Sequence, residues 1–379
     1  MADGTRLVGV HGCTSYNAIH KRGNGRMKLH GDDILQEITE EFARKKNSFP
    51  RGGALDYPTV IAGWIGKLEA DTLPYVTAGA IAADGGGHLT MHDKEHVSRV
   101  RQVAADLIGG SDNIGLDHFE LLLLLIAVYL HDIGNILGRA GHERQIHRVL
   151  QAAGSMLPID QVEYAAAKQI AGVHGGTIAG SKDTISTLPE QQPVSGRHVR
   201  MRLLAAILRL ADELADDPAR ANRVQREAGM LPQGAEVYHV IAEGLHSQMH
   251  DATTREIVLS YAFKDASVFK RKLGKGDMRV HLLDEIFERS MKTFNEARYC
   301  SRFMRPFMEF ERVKVDIMIY DDQLLPLHTI VYTIAEHGYA DPSSSIYKMV
   351  PELATYRGNG KLTAAYLKRL IAAAEEARS

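Results

Sequence analysis

The longest apolar run in the chain, Phe119-Glu120-Leu121-Leu122-Leu123-Leu124-Leu125-Ile126-Ala127-Val128-Tyr129-Leu130, offers water almost no polar face, so it predicts a helix buried on every side. It ends on His131-Asp132, an imidazole beside a carboxylate, and Gly134 then stops the helix. Such a pair is costly to bury without a partner. Around it the apolar spacing stays helical. Val97, Val100, Ala104, Leu107 and Ile108 mark one helix, and 145–150, 162–170 and 201–215 supply three more. A polar, glycine-bearing stretch at 175–193 reads as a loop able to overhang a site. Upstream, 32–42 opens with two acids and repeats apolar residues at 34, 35, 38 and 42, a second pattern covers 60–68, and Gly85-Gly86-Gly87 breaks the chain.

Beyond 232 the pattern changes. Residues 237–242, 257–263 and 313–320 cluster β-branched and aromatic side chains, and an amphipathic helix is predicted across 278–298. Two more helices follow near 344–356 and 361–378. The expected fold is mainly α, an all-α helical core with a smaller C-terminal α+β domain. Expected boundaries are 1–87 for a helical extension, 88–224 for the core and 225–379 for the α+β part and its terminal helices.

Composition narrows the setting. With 379 residues, 45% of them hydrophobic and 24% charged, the chain reads as an ordinary globular protein. Its 45 Lys and Arg nearly balance 47 Asp and Glu, which argues against a surface given over to nucleic acid. The two cysteines, Cys13 and Cys300, make no disulfide framework. The first residues lack the layout of a signal peptide, and the Leu121 run is shorter than the roughly 20 apolar residues of a membrane span. A cytoplasmic protein without membrane contact is expected.

Metal-binding side chains concentrate in the helical core. His96 borders an apolar stripe, with His92 one turn before it, and either can face His131 and Asp132. His142 opens a helix, His174 follows Ile170-Ala171-Gly172-Val173, and Asp212 sits on the buried face made by Leu204, Leu208 and Ala211. Each has a plain alternative: Asp212 can pair with Arg209, and His174 can satisfy carbonyls at a helix end. Satisfying all of them separately is less economical than a shared ion. Asp132 has two oxygens and can bridge, which favours two divalent ions. Nitrogen and oxygen donors suit Mn, Fe, Co, Ni or Mg without choosing among them.

The segments His96-Val97-Ser98-Arg99-Val100, His131-Asp132-Ile133-Gly134-Asn135 and Leu210-Ala211-Asp212 resemble the signatures of the HD superfamily of metal-dependent phosphohydrolases. The resemblance covers about 88–224 and implies an all-α HD-type domain with His96, His131, Asp132 and Asp212 as ligands. His142 and His174 are similar to the added histidines of the two-metal branch, which includes HD-GYP phosphodiesterases. Asn135 stands where those carry Lys, and Gly175-Gly176-Thr177 replaces Gly-Tyr-Pro, departures that weaken a cyclic-di-GMP assignment. Asp93 and the C-terminal part are similar to HD proteins found beside Hsp90-like ATPases in bacterial conflict systems, which implies such an ATPase as a partner.

The expected activity is hydrolysis of a phosphate ester in a nucleotide or cyclic nucleotide through a metal-bridging hydroxide, as nucleotidase or phosphodiesterase, with Asp132 at the catalytic centre. His92 or Glu95 is the candidate leaving-group acid, and Arg139, Arg144, Lys182 and Arg202 are candidate phosphate partners. Three other readings compete: an HD-type nuclease on single-stranded nucleic acid, a di-iron oxygenase, and a non-catalytic nucleotide sensor. The nuclease reading draws on basic clusters at 20–28 and 270–275. Substrate base, phosphate number and oligomeric state are not legible.

Overall fold

The computed structural model describes residues 33–83, 93–109, 114–216, 228–321, 323–335 and 345–377, with 218, 221 and 226. Helix α1 (Asp33–Arg44) turns Ile34, Ile38 and Phe42 inward, apolar positions four residues apart on one helix face. Asp56 caps α2 (Tyr57–Asp71), accepting the Thr59 N–H at 3.1 Å with Pro58 in the first turn. Helix α3 (Val76–Ala83) follows. Next comes α4 (Lys94–Gly109), whose buried stripe contains His96, Val97, Val100, Ala104 and Leu107.

Helix α5 (His118–Leu130) is the axis of the core, and every side chain from Phe119 to Leu130 is buried. Its start is a capping box: Asp117 accepts the Phe119 and Glu120 N–H groups, and Glu120 reaches back to the Asp117 N–H. Glu120 is only 2% exposed, so its charge needs a partner. Arg200 provides one, donating Nε to Glu120 Oε1 at 2.9 Å while its backbone N–H donates to the same oxygen at 2.9 Å. Length did not exclude a bilayer span, contrary to the expectation: the 20-residue segment His118–Leu137 is long and apolar enough, but 89% of its most apolar window is buried within the protein. It is a core helix.

Helices α6 (Ile146–Ala152), α7 (Gln161–Ala171) and α8 (Met201–Glu213) complete the core, with α4, α5, α7 and α8 packed on one another. A two-stranded hairpin, β1 (Gln192–Val194) with β2 (Arg197–Val199), interrupts the loop before α8.

The C-terminal part corrects one expectation. Residues 237–242 are not a strand but lie in α9 (Glu236–Gly244), because Val237, Val240 and Ile241 are a helical triplet buried together. Strand β3 (Leu245–Asp251) begins only after it and pairs antiparallel with β4 (Glu256–Phe263). A hairpin of β5 (Lys272–Lys275) and β6 (Met278–His281) precedes α10 (Leu282–Met304), the 23-residue crossover that lets β7 (Arg312–Tyr320) lie parallel to β4. Strand β8 (Pro326–Ala335), which the sequence reading did not foresee, pairs antiparallel with β7, so the sheet order is β3-β4-β7-β8. The helix expected near 344–356 is two short turns, Ile346–Met349 and Pro351–Ala354, before a final helix, Ala364–Glu376.

Helix α10 also packs on α8, which ties the α+β part to the core. Arg209 donates Nε and Nη2 to the two Glu296 oxygens at 2.7 and 3.0 Å, and Glu213 accepts from Lys292 at 2.6 Å and from Thr293 at 2.8 Å.

Candidate metal centre

Six metal-binding side chains arrive at one place from five separate segments. His96 comes from the first turn of α4, His131 and Asp132 from the end of α5, His142 from a single 3-10 turn, His174 from just past α7, and Asp212 from the last turn of α8. They form two groups, His96 with His131 and Asp212, and Asp132 with His142 and His174, each with donor atoms within 4.8 Å of one another.

Asp132 joins the groups. Its Oδ2 lies 3.6 Å from His96 Nε2 and 3.5 Å from His131 Nε2, while its Oδ1 lies 3.2 Å from His142 Nε2 and 3.7 Å from His174 Nε2. Asp212 Oδ1 closes the first group, 3.2 Å from His96 Nε2 and 3.7 Å from His131 Nε2. Two donors about 2.1 Å from a shared ion lie roughly 3 to 4 Å apart, depending on the angle between them. The observed spacings fall in that window.

The backbone sets which nitrogen faces the site. Nδ1 of His131 donates to Val128 O at 2.7 Å, that of His142 to Arg139 O at 2.9 Å, and that of His174 to Ala171 O at 2.6 Å. A carbonyl only accepts, so each ring carries its proton on Nδ1 and, when neutral, presents the Nε2 lone pair inward. His142 Nε2 and His174 Nε2 then face each other at 3.3 Å as two acceptors, an arrangement that calls for a cation or proton between them. His131 Nε2 is buried and makes no hydrogen bond among the described residues. This donor set fits divalent metal ions.

Titration follows the same logic. Burial disfavours the His131 imidazolium, yet the Asp132 and Asp212 carboxylates outweigh it and lift its pKa to about 9. His142 is raised too, Asp132 again overcoming burial. Asp212, which burial would raise, is held far below the carboxylate range by the His96 hydrogen bond and the His131 charge. The centre favours positive charge, whether as protons or as metal.

Gly134 makes the close turn possible. A Cβ there would stand 1.9 Å from the His142 carbonyl oxygen, so only glycine lets the residues after Asp132 press against the turn carrying His142. The alternatives to ligation do not account for the geometry. Arg209 is directed to Glu296 and Thr184, and no Arg209–Asp212 pair forms among the described residues. His174 does satisfy a carbonyl at the end of α7, but with Nδ1, leaving Nε2 for the centre.

A cavity of about 600 Å³ opens on the centre, and Arg139, Arg144 and Lys182 line it with Asp132, His142, His174 and Asp212. Arg202 does not line it. Its guanidinium donates to Leu188 O at 2.7 Å and Ser186 O at 3.0 Å, holding the turn before β1. Glu95 is exposed on the first turn of α4 and is not a lining residue either. His92 and the basic cluster at 20–28 lie outside the described residues.

Sequence reading missed several residues of the cavity. Asn135, 1% exposed, brings to the lining an Oδ1 that makes no hydrogen bond among the described residues. Glu143 lies with Oε2 3.5 Å from His142 Nδ1, and Gly176, at φ +68°, folds against it so closely that a Cβ would meet Glu143 Oε1 at 2.8 Å. Position next to His142 was the available signal for Glu143. Nothing local announced Lys292 and Glu296, which reach the cavity from α10, some 80 residues beyond Asp212.

A helical core that gathers four imidazoles and two carboxylates, with Asp132 between the two groups, defines an HD-type domain with the donor set of a metal centre, the framework of a metal-dependent hydrolase. The HD-CE family model matches residues 86–289, more than half of the chain, and the protein belongs to that family. The match runs past α8 into the first turns of α10 and stops before Lys292 and Glu296, the α10 residues that line the cavity. No curated protein and no solved structure matches the chain.

Proposed function

We propose that the protein is a two-metal phosphohydrolase acting on the phosphate ester of a nucleotide or cyclic nucleotide. The observation that carries this reading is Asp132, whose two oxygens each face a different pair of histidines. Two divalent ions, when bound, would supply an acidified water and clamp phosphate oxygens for in-line attack. His96, His131, Asp132 and Asp212 would hold one and Asp132, His142 and His174 the other. Mn, Fe, Co, Ni and Mg all suit the donors.

The chain's own residues do the rest. Carbonyls of Val128, Arg139 and Ala171 keep three rings oriented, so the ligand set needs little rearrangement when charge develops. Arg139, Arg144 and Lys182 bring positive charge to the cavity where phosphate oxygens would lie. Glu143 joins His92 as a candidate leaving-group acid, because its carboxyl lines the cavity, as Glu95 does not, and would hand a proton to the departing oxygen.

Charge placement favours a small substrate over a polynucleotide. In the cluster at 270–275, three of the four cations are paired, Lys270 with Glu375, Arg271 with Glu236 and Lys275 with Glu285. Cations already neutralised by neighbouring acids make a poor phosphate track.

Metal-loaded protein should hydrolyse bis(p-nitrophenyl) phosphate with Mn and release a defined product, identified by mass, from a panel of nucleoside phosphates and cyclic nucleotides. Asp132→Ala should do neither. An iron chromophore with oxygen uptake would support the oxygenase reading instead, and full metal occupancy with nucleotide binding but no turnover would support a sensor.

A further inference from the structure

A second cavity, about 710 Å³, lies beside the metal cavity, and the two share Lys182, Arg209, Lys292 and Glu296 as lining. Its character is different. Phe287, Met291, Asn295 and Tyr299 recur every four residues and form one face of α10, and Tyr347 stands opposite with its ring 6.3 Å from that of Phe287 at 81°. Asp284, Asn295 and Arg302 add hydrogen-bonding groups to this aromatic lining.

We propose that the second cavity receives the nucleobase of a substrate whose phosphate lies at the metal centre, an inference that rests on the phosphohydrolase reading above. A nucleobase has flat apolar faces and a polar edge, and this lining offers rings for the first and side-chain donors and acceptors for the second. An acyl chain would bury the Asp284, Asn295 and Arg302 polar groups without partners, and a bare sugar would set hydroxyls against Phe287, Met291 and Tyr347. The volume falls inside the roughly 300–1,000 Å³ of small-molecule sites. The shared wall supplies continuity. Lys182, whose amine makes no ion pair among the described residues, stands where a phosphate linkage would pass from one cavity to the other.

The test uses the full chain and an exposed position, Asn295→Trp, which narrows the cavity without touching the metal ligands. Equilibrium dialysis of metal-stripped protein against adenosine, guanosine, cytidine and uridine reads the base site alone. Wild type should bind at least one nucleoside, and Asn295→Trp should bind it about tenfold or more weakly. With metal restored, kcat/KM for the matching nucleoside monophosphate, divided by that for bis(p-nitrophenyl) phosphate, should fall by about tenfold or more in the variant. Asn295→Ala, which adds no volume, should weaken nucleoside binding in the same direction. Wild type that binds no nucleoside, or a Trp variant with unaltered affinity and ratio, overturns the proposal. Failure to hydrolyse any phosphate ester would instead overturn the phosphohydrolase reading, and the dialysis would still decide what the second cavity holds.

Discussion

Replacing Asp132 with Asn keeps the shape of the bridge and removes its charge. In chelator-treated protein, the imidazolium of His131 stands in for the cation that the centre favours. Its Nε2 is 3.5 Å from Asp132 Oδ2, and at an effective dielectric near 20 an opposite charge at that distance contributes about 5 kcal/mol. The rise of the His131 pKa from 6.5 to about 9 corresponds to about 3 kcal/mol. The lost attraction exceeds the net rise, so Asp132→Asn should return His131 to its ordinary value or below. The folded-state pKa is raised, so this stabilisation is complete below pH 6.5 and disappears as pH climbs to about 9. Metal-stripped wild type should therefore lose about 3 kcal/mol of unfolding free energy across that interval, and the variant much less. Metal affinity should run the other way, strengthening with pH as the imidazolium gives up its proton. Urea unfolding at the two pH values, histidine NMR titration and metal counting by mass spectrometry read the three effects. An Asn variant that keeps two ions per chain, or a His131 that still titrates near 9 in it, would refute the bridging role.

Gly134→Ala should push the His142 turn away, lowering bound metal from two ions to one and costing about 1–3 kcal/mol of stability, both measurable on one preparation. Glu143→Gln should slow turnover of a nucleotide by about a hundredfold but leave p-nitrophenyl ester cleavage, whose leaving group needs no proton, much less affected; equal losses would remove Glu143 from the proton-donor role. Glu120→Ala should destabilise the protein by about 3 kcal/mol in urea titration, because it takes the carboxylate partner from Arg200 and removes the Glu120 half of the α5 capping box; a loss below about 1 kcal/mol would show the pair is not what pins α8 to α5.

Much of the core was legible because its signals are local. The Phe119–Leu130 run shows an all-buried helix, and the period of Val97, Val100, Ala104 and Leu107 shows the face His96 shares. The reading at 237–242 failed for a reason equally local: Val and Ile favour strands, but Val237, Val240 and Ile241 face one core side of a helix, and packing overrode propensity. Arg202 looked like a phosphate partner because it is a cation near the site in sequence, whereas its side chain binds the carbonyls of Ser186 and Leu188. Which cations reach a cavity depends on where side chains point, and that information is not local.

By itself, the sequence determined the helical core and the chemical type of its buried polar residues, since both follow from residue period and from the cost of burying imidazole and carboxylate. Only the tertiary structure decided that Asp132 faces two histidine groups at once, that Glu143 and Asn135 line the cavity, and that α10 walls both cavities from some 80 residues away. Those outcomes depend on how separate helices cross and how closely Gly134 lets two turns approach, distances that residue order does not encode within any single segment.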